Sequence, residues 1–132
     1  ADAETRKVLE GILATTISPE LVPATAEGIQ PTEKIIGPYD LHDFFLFHHV
    51  RNGFRPRKIF ALAQLAFEGE YTGADIRAWL RVFIERFYRQ QFKRTCLPPG
   101  PKVGSVSLSP RGDWRMPDEI DPAAMLGEIE GL

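Results

Sequence analysis

A mainly α-helical chain is predicted by three observations. Apolar residues recur at helical spacing in several separate stretches, those stretches begin or end on capping and breaking residues, and no stretch alternates strongly enough to argue a strand. The spacing predicts helices over about 3–14, 39–51, 56–67, 73–91 and 122–130, joined by long loops over 15–38 and 93–120. Val103 to Leu108 alternates, but weakly.

Asp2 is placed to cap a first helix whose apolar face is Val8, Leu9, Ile12 and Leu13. From Thr15 to Pro38 the pattern collapses into proline, glycine and short polar residues, with Ser18 or Thr32 as caps for short turns and Ile35 and Ile36 as anchors. Pro38 suits the first turn of a second helix, on which Leu41, Phe44, Phe45 and His48 share a face, and Asn52-Gly53 stops it. A third helix opens at Pro56 and carries Ile59, Phe60, Leu62, Ala63, Leu65 and Ala66. Thr72 caps the fourth, with Asp75 at the third position favourable to the helix dipole. Ile76, Leu80, Phe83, Ile84, Phe87 and Phe92 continue it, and Asp121-Pro122 opens a short last helix with Met125, Leu126 and Ile129.

A chain of 132 residues can bury one core. No apolar run approaches the ~20 residues of a membrane span, and no signal-peptide pattern opens the chain. A single cysteine, Cys96, excludes an internal disulfide and fits a cytoplasmic protein. The start at Ala1, inside a helical pattern, suggests a piece of something longer.

The net charge of −2 hides an asymmetry. From Arg86 to Arg115 seven cations meet one anion, Asp113, for a net +6, while the remainder carries −8. A basic segment on an acidic protein points to a local site for a small polyanion rather than to bulk attraction for nucleic acid. Within it, Gly100-Pro-Lys102 and Arg111-Gly-Asp-Trp-Arg115 repeat one chemistry, a cation beside a residue that opens backbone donors. Asp113, alone among cations, is placed to orient an arginine or a substrate donor. Lys93 and Arg94 also sit where C-terminal dipole partners of the fourth helix belong.

Other chemistry is thinner. His42 and His49 read as surface residues and His48 as a half-buried edge, with no second ligand at zinc spacing, so no metal site is expected. Cys96 has basic neighbours but no base to orient it as a nucleophile. Glu68 and Glu70, or Asp118, Glu119 and Asp121, read as solvated turns and caps. The Gly-x-x-x-x-Gly-Lys-Ser/Thr phosphate loop is absent.

The residues themselves go further than their spacing. Ile17-Ser-Pro-Glu-Leu21, Ile36-Gly-Pro-Tyr-Asp-Leu-His-Asp-Phe-Phe-Leu46, Gln91-Phe-Lys-Arg94, Leu97-Pro-Pro-Gly-Pro-Lys-Val103 and Leu108-Ser-Pro-Arg-Gly-Asp-Trp-Arg115 resemble the C-terminal end of the long-form glutamine-dependent NAD synthetases. The resemblance implies a helical C-terminal fragment of an α/β synthetase domain of the ATP-pyrophosphatase type, related to the adenine nucleotide alpha hydrolases. It also implies an ATP-dependent amide ligase: deamido-NAD is adenylylated on its carboxylate, and ammonia displaces AMP to give NAD. ATP and its Mg counter-ion are implied for the intact enzyme, with none bound by this stretch alone.

By the same resemblance Lys93 contacts deamido-NAD and Asp113 has a positioning role near its reacting end; Arg94, Lys102 and Arg111 are expected near phosphates on charge alone. The family's Ser-Gly-Gly-x-Asp-Ser loop and its glutamine-hydrolysing residues are absent, so the stretch is expected to be inert by itself and to self-associate through apolar helix faces. A homo-oligomer is expected, without nucleic acid or membrane as partner. The alternative is a non-enzymatic module whose basic loop binds nucleic acid or an acidic protein; only Trp114 is placed to stack on a base.

Overall fold

The computed structural model describes residues 2–15 and 32–132. Ser18, the Ile17–Leu21 motif and most of the loop expected over 15–38 lie outside the described residues. The chain divides into two units, Ala1–Ile35 and Ile36–Leu132.

In the first unit, α1 (Ala3–Leu13) is capped by Asp2, whose carboxylate accepts the Thr5 N–H at 2.7 Å. Val8, Leu9, Ile12 and Leu13, the apolar face that the spacing predicts, are all exposed. The single turn α2 (Glu33–Ile36) ends where the second unit begins.

The second unit holds the core. Gly37, at φ +99°, makes a bend that L side chains rarely adopt and lies against the Trp79 indole. Pro38 then fixes the entry into α3 (Tyr39–Leu46). Without a break α3 widens into a π-helical turn, Phe47–Arg51, a form that accommodates one extra residue. Helix α4 (Pro56–Ala66) begins on a proline that has no N–H to leave unpaired.

Helix α5 (Gly73–Arg89) opens on a reciprocal capping box: Thr72 Oγ1 accepts the Asp75 N–H, and the Asp75 carboxylate accepts the Thr72 N–H, each at 3.1 Å. The backbone leaves the helix at Gln90 (φ −109°, ψ 23°) and re-enters as α6 (Gln91–Thr95). After a long return loop, α7 (Ala123–Glu130) closes the chain. No strand occurs among the described residues.

Helix α5 is the hub, packing on α3, α4 and α7. Its Ile76, Leu80, Phe83, Ile84 and Phe87 meet Leu41 and Phe45 of α3, Ile59 and Ala63 of α4, and Leu126 and Ile129 of α7. Burial of such side chains, about 1.5–3 kcal/mol each, dominates the fold's stability. Ion pairs decorate the same seam: Arg81–Glu130 at 3.0 Å and Arg55–Glu128 hold α7, both partly exposed and so worth little individually.

The helical face expected to run from Ile76 through Phe92 stops at Phe87. The break at Gln90 rotates the next turn, so Phe92 is exposed while its neighbour Gln91 is fully buried. Leu65 likewise points outward at 75% exposure, although its spacing groups it with the α4 core residues.

Candidate functional site

A cleft of about 320 Å³ opens where α3, α5 and α6 converge. Leu46, Phe83 and Phe87 supply its apolar walls, and Leu108 of the return loop touches one side. His42, Asp43, Arg86, Gln90, Lys93 and Arg94 supply its polar groups. A mainly apolar recess with a few converging polar side chains is the usual form of a small-molecule site.

The local chemistry of each side chain is set by its element. His42 donates from Nε2 to the Ile36 carbonyl, so the neutral ring keeps Nδ1 as its acceptor. Burial lowers its pKa below the ordinary 6.5; the Ile36 bond and Asp43 pull upward and Arg86 pushes further down. Lys93 is exposed and lines the cleft as a point charge held by the short helix α6.

Arg94 is more constrained. Its Nε donates to Gln91 Oε1 at 2.7 Å, a terminal nitrogen donates to the Phe87 carbonyl, and the guanidinium lies 4.6 Å over the Phe87 ring. Burial lowers its pKa from the ordinary guanidinium value.

The return loop is pinned at both stems and open at its tip. Gln91 Nε2 donates to the Met116 carbonyl at 3.3 Å, and the Thr95 hydroxyl donates to Asp118. The Trp114 ring packs edge-on against Phe87 at 5.2 Å and tilts against His49 at 6.3 Å. Its buried Nε1 has no hydrogen-bond partner among the described residues. Across the tip Lys102 pairs with Asp113, and Arg111 donates to the Leu97 carbonyl at 2.7 Å. Val103 stands 95% exposed there. Val106, Leu108 and Trp114 pack inward in part, whereas Phe92, Leu97 and Val103 do not.

Of the five residues singled out from sequence, the structure therefore brings Lys93 and Arg94 to the cleft. Asp113, Lys102 and Arg111 lie outside its lining, joined to the loop instead.

Two readings of the histidines are corrected. His49, expected at the surface, is only 6% exposed: Nδ1–H donates to the Phe54 carbonyl at 3.1 Å and Nε2 accepts from the Tyr88 hydroxyl at 2.9 Å. Burial lowers its pKa, the Phe54 bond opposing. His42 is half-buried rather than superficial. The signal is present in the spacing: His42, Phe45 and His49 stand at i, i+3 and i+7, on the inner face with Phe45. Gln91, buried at 0% exposure with both ends of its amide bonded, opens the Gln91-Phe-Lys-Arg94 motif, but nothing in its spacing signals that it is buried. Cys96 is exposed.

Among the described residues no group of three or more His, Cys, Asp or Glu side chains is arranged to hold a metal ion. Nor is any described helix long and apolar enough to cross a membrane.

No protein-family model matches the chain. Its curated relatives are informative. Over 142 aligned positions it is 42% identical to proteins named glutamine-dependent NAD(+) synthetase from Mycobacterium tuberculosis and Mycobacterium bovis. The Mycobacterium leprae protein of the same name is 43% identical over 143 positions. These matches cover 94% of this chain but only 21% of the relatives' length.

Proposed function

We propose that this chain, a homologue of one segment of the glutamine-dependent NAD(+) synthetases, is the C-terminal part of such an enzyme and supplies one wall of its deamido-NAD site. The observation that carries this reading is identity of 42% sustained over 94% of the chain. The intact protein is then an ATP-dependent amide ligase that converts deamido-NAD, ATP and glutamine-derived ammonia into NAD, AMP and diphosphate. Its parent domain is of the α/β ATP-pyrophosphatase type, and its location is cytoplasmic.

In this reading Lys93 offers a compact positive charge to the dinucleotide at the edge of the cleft. Asp113 has a positioning role: it is paired with Lys102, and a phosphate arriving at Lys102 would release the carboxylate toward a substrate donor. Lys102 and Arg111 serve as phosphate contacts on charge grounds; the same grounds alone would place Arg94 with them. ATP enters as substrate with Mg as its counter-ion. The described residues offer no carboxylate cluster for that ion. The stretch alone is inert, because ATP's phosphates are gripped elsewhere in the intact enzyme. The exposed face of α1 supports self-association into a homo-oligomer.

The other reading, a basic loop for nucleic acid or an acidic protein, has less support. Trp114, the side chain the sequence places to stack on a base, packs against Phe87 and His49 instead.

The test uses the intact protein. Lys93→Ala or Asp113→Ala is expected to reduce ammonia-fed NAD synthesis from deamido-NAD by roughly 10- to 100-fold, the scale of a lost charged hydrogen bond. Unchanged synthesis in both variants would overturn the site assignment.

A further inference from the structure

Lys93 reaches the cleft as an exposed charge, yet two residues of its own short helix are the most tightly engaged polar groups nearby. Gln91 is wholly buried, and its amide is spent at both ends, on Met116 and on Arg94. Arg94 joins the amide to the last turn of α5 through the Phe87 carbonyl and ring. Phe87 in turn carries Trp114, the residue after Asp113. One bonded chain therefore links the helix break at Gln90, the turn that bears Lys93 and the returning end of the loop that bears Asp113.

We infer that Gln91 and Arg94 are positioning residues for the deamido-NAD site: a buried clasp that fixes α6 against the loop stem and so sets where Lys93 and Asp113 stand. The inference rests on the functional reading above and replaces a phosphate contact as the role of Arg94. The planar guanidinium is what the clasp needs. A single plane must present Nε to one carbonyl oxygen and a terminal nitrogen to another while its face covers Phe87, which an ammonium cannot do. A phosphate contact, by contrast, asks chiefly for charge. Because the amide is buried, removing it strands the Met116 carbonyl and an arginine donor, a cost that a satisfied network avoids.

The intact protein distinguishes the two roles. Arg94→Lys and Gln91→Leu are each expected to raise KM for deamido-NAD about tenfold or more while KM for ATP stays within about twofold. The double variant should be no worse than the worse single one, since both break the same clasp. Gln91→Glu keeps an acceptor for Arg94 but sets a carboxylate against the Met116 carbonyl; it should be impaired in the same direction and serves if either other variant fails to fold. Thermal unfolding run beside the kinetics separates displacement from collapse, because a merely unstable enzyme loses kcat for both substrates together.

Near-normal KM for deamido-NAD in Arg94→Lys, or strictly additive single effects, overturns the clasp. Lys93→Ala in the same assay keeps the two readings apart. If it raises KM for deamido-NAD and the Gln91 and Arg94 variants do not, the clasp alone fails. If it changes nothing, the site fails and the clasp with it.

Discussion

Replacing Gly37 by alanine tests the joint on which the α3 wall of the cleft turns. The backbone there sits at φ +99°, and a Cβ would lie 2.5 Å from two carbons of the Trp79 indole. Two penalties combine. A side chain in the left-handed region costs about 1–2 kcal/mol, and overpacking against a ring held by the core costs about 1–3 kcal/mol. The total, about 2–5 kcal/mol, is a large part of the ~5–15 kcal/mol that stabilises an ordinary domain. At roughly 4 °C per kcal/mol for a domain of this size, Tm should fall by about 8–20 °C. Thermal unfolding followed by circular dichroism reads this directly. The steric part is checked by Gly37→Ala in a Trp79→Leu background, where the added loss should shrink to the conformational share. A Tm within about 2 °C of the parent, or an equal loss in both backgrounds, refutes the reasoning. Because Ile36, whose carbonyl holds His42, immediately precedes this bend, the same variant should also disturb the cleft.

The core supplies two further expected outcomes. His49 binds a proton less readily when folded, since burial lowers its pKa below 6.5, so the unfolded chain takes up more protons as pH falls. Stability is then fully present above about pH 6.5 and declines below it, with a slope of up to about 1.4 kcal/mol per pH unit for this one group. Urea midpoints measured from pH 7.5 to 5 should show the decline, and His49→Gln should reduce it, leaving the share of His42, whose pKa burial also lowers; an unchanged slope in the variant counts against His49 as a source. Ile129→Ala, at a nearly sealed position on α7, should cost about 2–5 kcal/mol, whereas Glu130→Ala, which removes only the exposed pair with Arg81, should cost under about 1 kcal/mol. Equal losses in the two variants would mean that charge rather than burial docks the helix.

The helical class is legible in the sequence because α5 concentrates its signals. Ile76, Leu80, Phe83, Ile84 and Phe87 repeat at helical spacing behind a Thr72–Asp75 cap, and both kinds of signal act within one turn of the residue concerned. The chain beyond Arg89 is less legible. Nothing local forbids the helix from continuing through Gln90, and the break is settled by contacts made at a distance, with Gln91 reaching Met116 and Arg94 reaching back to Phe87. The histidines are a similar case. The spacing puts His49 at i+4 from Phe45 on the inner face, but that a polar ring can be buried there shows only once the Phe54 carbonyl and Tyr88 hydroxyl are seen to satisfy both its nitrogens. The tail beyond Pro117 carries none of the resemblance motifs, but Met125, Leu126 and Ile129 at helical spacing mark its α7, and Leu126 and Ile129 enter the core. For the candidate site, motif resemblance points to Lys93 and Asp113, while charge alone groups Arg94 with Lys102 and Arg111 and does not reveal that its donors are bonded to Gln91 and Phe87.

The pinned stems of the return loop bear on how this region can change over evolutionary time. Gln91 with Met116 and Thr95 with Asp118 close a ring of chain whose far side, around Val103, is open to water. The entropy lost in closing such a ring grows only with the logarithm of its length, so doubling it costs about 0.6 kcal/mol. Residues can therefore be inserted or deleted between Val103 and Leu108 at little cost in closure entropy, while a single change at either stem disturbs everything the ring encloses. Variation in length should accumulate between Val103 and Leu108, away from the paired Lys102 and Asp113, and the stems should stay fixed.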